Sequence, residues 1–76
     1  MVLAYILIVV EAGHEKEVTK TLKRLADAEE VDTIYGEYDI IARIRVKAIE
    51  NLGDFVIEKI RPIKGVKRTS TLIAVE

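Results

Sequence analysis

The side chains able to do chemistry lie in two short runs, Gly36-Glu37-Tyr38-Asp39 and Thr69-Ser70-Thr71. A carboxylate such as Asp39 can accept from an ammonium group, and a glycine beside it lets a ligand approach the backbone closely. The three hydroxyls both donate and accept, which suits the carboxylate of a zwitterion. The same residues also have a plain structural reading. Asp39 can bond nearby backbone at a turn, Tyr38 can pack at a strand end, and hydroxyl-bearing residues are ordinary strand content. Neither run is specific alone. Together they outline one small-ligand site, formed by Gly36, Tyr38, Asp39, Thr69, Ser70 and Thr71.

Other chemistries find no residues to carry them. His14 is the single histidine and sits among charges at a helix start, the setting of a solvated side chain. Without a second histidine it is not half of a zinc-binding helix motif, and with no cysteine there are no thiolate ligands or nucleophiles. Ser70 is the only serine and falls in mid-strand, away from any nucleophile motif. The four glycines are scattered, so no loop cradles a phosphate. An RNA-binding sheet needs aromatic residues on its central strands, and the first strand offers Tyr5 alone. The expectation is a non-enzymatic protein with no cofactor and no metal.

Composition narrows the class further. A chain of 76 residues is one domain, 1–76, half apolar and one-third charged. Twelve basic against 13 acidic residues give a net charge of −1, without the basic excess that direct nucleic-acid binding needs. The apolar run Met1 to Val10 is far short of the roughly 18 residues of a membrane span. It also lacks a signal peptide's basic start and cleavage site, which predicts a cytoplasmic location and no membrane partner. A domain this small buries only about 60% of its unfolded surface, so subunit association is the expected further source of stability.

The elements that must position the two runs follow from periodicity. Val2 to Glu11 is apolar on both faces and predicts a central strand. His14 to Ala28 carries Val18, Leu22, Leu25 and Ala26 at helical spacing, with Gly13 as N-cap. Val31 to Tyr35 and Tyr38 to Val46 predict two strands joined by a tight turn at Gly36. Ile40, Ala42, Ile44 and Val46 share one face of the second; Asp39, Ile41, Arg43 and Arg45 share the other. A second helix begins after Lys47-Ala48, with Ile49, Leu52, Phe55, Val56 and Ile60 apolar. It stops at Pro62, because a residue before proline avoids the helical region. Val66 to Val75 is the last strand. The order β-α-β-β-α-β is the ferredoxin-like pattern, an α+β fold whose four-stranded antiparallel sheet has both helices on one face. A second copy is the simplest cover for the open face, which predicts a dimer closing sheet on sheet.

At this point the chain resembles a known family. Gly13-His14-Glu15-Lys16-Glu17-Val18, Tyr35-Gly36-Glu37-Tyr38-Asp39, Phe55-Val56, Ile60-Arg61, Ile63-Lys64-Gly65-Val66 and Arg68-Thr69-Ser70-Thr71-Leu72-Ile73 look like a RAM domain. RAM stands for regulation of amino acid metabolism, and the domain is the C-terminal effector-binding half of the Lrp/AsnC transcription regulators. The resemblance covers nearly the whole chain. It implies a dimeric α/β barrel, dimers assembling into octamer or decamer rings, and a free amino acid bound in clefts between dimers. By the same resemblance, Gly36, Tyr38 and Asp39 line that cleft with Thr69, Ser70 and Thr71.

The chain departs from the full regulators in lacking a helix-turn-helix, so DNA binding does not carry over. It is similar to stand-alone RAM proteins, which are thought to bind effectors or to co-assemble with a full-length Lrp/AsnC regulator. The expected function is amino-acid sensing and oligomerisation in the regulation of transcription. Two alternatives remain. One is a structural subunit that only mixes into regulator assemblies. The other is a small dimeric α/β-barrel enzyme, an oxygenase or isomerase. An ACT domain matches the motifs less well.

Overall fold

The computed structural model describes residues 1–75. In chain order the elements are β1 (Val2–Val10), α1 (Glu15–Lys23), β2 (Ala28–Thr33), β3 (Ile40–Val46), α2 (Ile49–Phe55) and β4 (Val66–Ile73). A π-helical segment, Val56–Ile60, continues α2 directly. The strands form one antiparallel sheet in the order β2-β3-β1-β4, which is the ferredoxin-like arrangement. Alternation along β1 sends Ala4, Ile6, Ile8 and Val10 into the core. They join Ile40, Ala42, Ile44 and Val46 of β3 and the helical Val18, Leu22, Leu52, Phe55, Val56 and Ile60. The opposite face of β1 carries Leu3, Tyr5, Leu7 and Val9, all half-buried, beside Ile41, Arg43 and Arg45 of β3. The second strand face is therefore apolar without being packed by a helix.

Several boundaries differ from the periodicity. α1 stops at Lys23 instead of Ala28, because the sheet claims the residues that follow. Arg45 N–H donates to Asp27 O, and Ala28 already pairs with Ile44. Leu25 consequently packs on the core from outside the helix, while Ala26 is exposed. His14, not Gly13, is the N-cap residue, and it offers no side-chain cap. Glu15 Oε1 instead accepts from Gly13 N–H at 3.0 Å. Glu15 and Glu17 near the start, with Lys20 and Lys23 near the end, suit the helix dipole.

The expected tight turn at Gly36 is a longer loop, since β2 ends at Thr33 and β3 begins at Ile40. Ile49, placed by spacing on the apolar stripe of α2, is 61% exposed, because it sits at the first helical position beyond the reach of the core. The start of α2 is held by Asn51 Oδ1, which accepts from Ala48 N–H at 3.1 Å. At the other end Arg61 keeps helical dihedrals (φ −59, ψ −34) even though Pro62 follows. Its N–H reaches back to Val56 O at 2.9 Å. Proline's missing N–H ends the ladder here, not any avoidance by its neighbour. β1 and β4 each end short of their expected limits, at Val10 and Ile73.

Candidate functional site

Asp39 is the junction of the loop 34–39 with the sheet. Its N–H donates to Ile8 O at 2.9 Å, and its carbonyl accepts from Ile34 N–H at 2.9 Å. Its Oδ2 accepts from Val10 N–H, also at 2.9 Å. The carboxylate thus extends the β1–β3 ladder beyond Ile8↔Ile40, its last backbone pair, just where β1 shifts register between Val9 and Val10. One oxygen of Asp39 is spent on the fold. The other, Oδ1, accepts no hydrogen bond among the described residues.

Gly36 lies at the exposed tip of the loop with φ +133, and a Cβ there would meet nothing within 4 Å. Glycine is needed there for its dihedral and not for lack of room. Tyr35 beside it is fully exposed. Tyr38 is half-buried, and the Arg68 guanidinium lies 5.9 Å from its ring centroid, within cation–π range. Arg68, on β4, pairs with Val9 of β1, and its guanidinium reaches across β1 toward the loop. The structure therefore brings Tyr38 and Asp39 to the same end of the sheet as Arg68 and Thr69, with a Tyr38–Arg68 contact that sequence reasoning did not single out. Thr71 lies further along β4, opposite Ile6. Arg68 follows from no spacing rule; only the β1–β4 register reveals it.

The hydroxyl run is divided between faces. Thr69 and Thr71 pair with Ile8 and Ile6, whose side chains enter the core, while Ser70 pairs with Leu7 on the open face. A single ligand within one chain would not meet all three. Thr69 Oγ1 is buried and has no hydrogen-bond partner among the described residues. Thr71 is exposed and lines a groove of ≈ 310 Å³ with Ile49, Leu52, Val56, Ile57 and Ile73.

The open face carries one more cluster, at the β2 end. Arg45 Nε donates to Glu29 Oε2 at 2.6 Å, and Arg43 Nε lies 3.4 Å from Glu29 Oε1. The latter is an ion contact without hydrogen-bond alignment, so Arg43 Nε stays unsatisfied. The Arg45 bond holds the Glu29 carboxyl below its ordinary pKa and raises Arg45 in return. Among the described residues no group of acidic, histidine or cysteine side chains could hold a metal, and no helix is long and apolar enough to cross a membrane.

Comparison with known proteins gives these features a context. The sequence pattern of the Lrp/AsnC ligand binding domain matches residues 3–76. The HTH-type transcriptional regulator FL11 of Pyrococcus furiosus is 37% identical over 75 residues, 99% of this chain and 49% of that protein. The chain spans about half the length of the curated relatives it matches, or somewhat less. Among solved structures, the hypothetical protein PHS023 of Pyrococcus horikoshii superposes with a TM-score of 0.92 at 39% identity, covering 100% of this chain and 92% of that one. Escherichia coli AsnC superposes with a TM-score of 0.93 at 26% identity, covering 99% of this chain and 51% of that one.

Proposed function

This chain belongs to the Lrp/AsnC ligand-binding domain family, a family of transcriptional regulators rather than enzymes, and on that footing we propose that it is an amino-acid-responsive assembly domain. In this reading two copies close over the open sheet face to form a dimeric α/β barrel. Dimers associate further, and a free amino acid binds at Gly36, Tyr38 and Asp39 of one unit with Thr69, Ser70 and Thr71 contributed by another. The ligand shifts the balance between assemblies because it binds the state that completes the site. The output is regulation of transcription, exerted by co-assembly with a full-length family member.

The carrying observation is the unpacked apolar row Leu3, Tyr5, Leu7 and Val9. Its end at Val9 lies between Arg68 and the loop that holds Tyr38 and Asp39. A partner covering that row borders the ligand residues, so assembly and ligand binding are linked by position. The division of the hydroxyls between faces supports a site completed by a second unit.

Calorimetric titration of the twenty amino acids into the native chain tests the sensing claim. At least one is expected to bind at millimolar concentration or tighter, and Asp39→Asn, which keeps an acceptor for Val10 N–H, weakens it. Absence of binding by any amino acid favours the structural-subunit reading, in which Asp39 serves only the Val10 latch.

A further inference from the structure

A cleft of ≈ 330 Å³ opens between the end of the second helical run and the start of β4, lined by Arg61, Val66, Lys67, Arg68 and Thr69. We propose that this cleft binds a small oxyanion, a carboxylate or phosphate group carried by a metabolite. Its volume falls at the lower end of the range of small-molecule sites, about 300–1,000 Å³.

Every polar side chain of the lining can donate, and only Thr69 can also accept. Three are cations, and no carboxylate lines the cleft. Among the described residues, the salt bridges join only Arg43 and Arg45 to Glu29 and Glu30, so Arg61, Lys67 and Arg68 carry uncompensated charge. Each has a plainer role available. Arg61 sits where a helix C-terminus favours a cation, lysine on an edge strand discourages strand pairing, and Arg68 lies over the Tyr38 ring. Those roles do not account for Thr69 Oγ1, a buried hydroxyl with no partner among the described residues. Leaving a buried polar group unsatisfied costs about 1–3 kcal/mol, and an oxyanion would accept its proton.

The backbone adds a further donor. Leu3 O accepts from Ala74 on the β4 side of β1, whereas Ile8 O accepts from Asp39 on the β3 side. Odd residues of β1 therefore bond toward β4 and even residues toward β3. Thr69 is paired with the even residue Ile8, so its N–H faces away from β1 at the free edge of the sheet. The Thr69 hydroxyl and backbone N–H on the edge strand, with Arg61 and Lys67 flanking them, make an acceptor-rich anion the complementary ligand. This site shares Thr69 with the amino-acid reading and otherwise rests on Arg61 and Lys67, which that reading does not use. Loss of binding in the Arg61/Lys67 pair is therefore specific to the cleft.

The intact chain is titrated calorimetrically with inorganic phosphate and, separately, with succinate in low-chloride buffer. Saturable binding of at least one is expected at one site per chain. The Arg61→Gln/Lys67→Gln pair is expected to weaken it at least tenfold. Thr69→Val is expected to weaken it several-fold while the thermal midpoint holds or rises, because the lost hydroxyl had no partner. Lys20→Gln/Lys23→Gln, an equal charge change on α1 beside the opposite sheet edge, is expected to leave binding intact. Preference for phosphate or for succinate assigns the group. Failure of both ligands to saturate, or an equal loss in the α1 pair, overturns the site.

Discussion

Asp39 Oδ2 accepts the backbone N–H of Val10 across 29 positions of sequence, at 2.9 Å. This bond ties the loop 34–39 to β1 where the two strands part. It makes the carboxylate proposed to meet an ammonium group also a structural latch. Asp39→Ala leaves the part-buried Val10 N–H unpaired and is expected to cost about 1–3 kcal/mol in urea unfolding. Asp39→Asn is expected to cost less, since its amide oxygen can still accept. Equal stability of the alanine variant and the native chain would remove the latch.

Two glycines are expected to respond in opposite directions. A Cβ on Gly65 would lie 2.7 Å from His14 Cβ and 2.9 Å from His14 Cγ, at φ +100. Gly65→Ala therefore adds a clash to a strained dihedral and is expected to cost about 1–3 kcal/mol or more. Gly53 lies within α2 with nothing within 4 Å of its Cβ position. Gly53→Ala is expected to raise stability by about 0.4–1 kcal/mol. Thermal unfolding of both variants checks the pair.

The Glu29–Arg45 bond sets an acid dependence. The Arg45 donor holds Glu29 below its ordinary pKa in the folded chain. A depressed folded pKa means the contribution is fully present above the unfolded value and is lost as pH falls through the folded one. Stability of the native chain is thus expected to fall on acidification through and below the ordinary carboxylate range. Glu29→Gln is expected to flatten that part of the profile, and because both side chains reach solvent the difference shrinks in high salt. An unchanged profile in the variant would exclude the pair as its source.

Much of the fold was legible in the sequence, and the failures have physical causes. The alternation Ile40, Ala42, Ile44, Val46 told which face of β3 meets the core, because burial obeys period two. The β1 run, apolar on both faces, marked a central strand but not which of its faces the helices cover. Boundaries were lost where tertiary pairing overrode local preference. Ala26 to Ala28 suit a helix, yet Arg45 N–H and Ile44 draw 27–28 into the sheet. The candidate residues were legible as types but not as an arrangement. That Asp39 spends an oxygen on Val10, that Arg68 covers Tyr38, and that Ser70 faces away from Thr69 all depend on cross-strand register, which no single segment encodes.

Leu7 tests the open face in isolation. It lies mid-strand on the apolar row, half-buried, between Ile41 and Ser70. Leu7→Arg places a charge where a second copy would pack and leaves the helix-side core untouched. The variant is expected to remain folded by circular dichroism while losing association. Retained association would move the interface elsewhere.

Light scattering coupled to size exclusion, run on the native chain with and without each candidate amino acid, tests the central claim most directly. The mass is expected to correspond to two chains or more, and to shift when an amino acid binds. A monomer under all conditions would contradict closure over the open face, and an assembly whose mass no amino acid alters would contradict its role as a sensor.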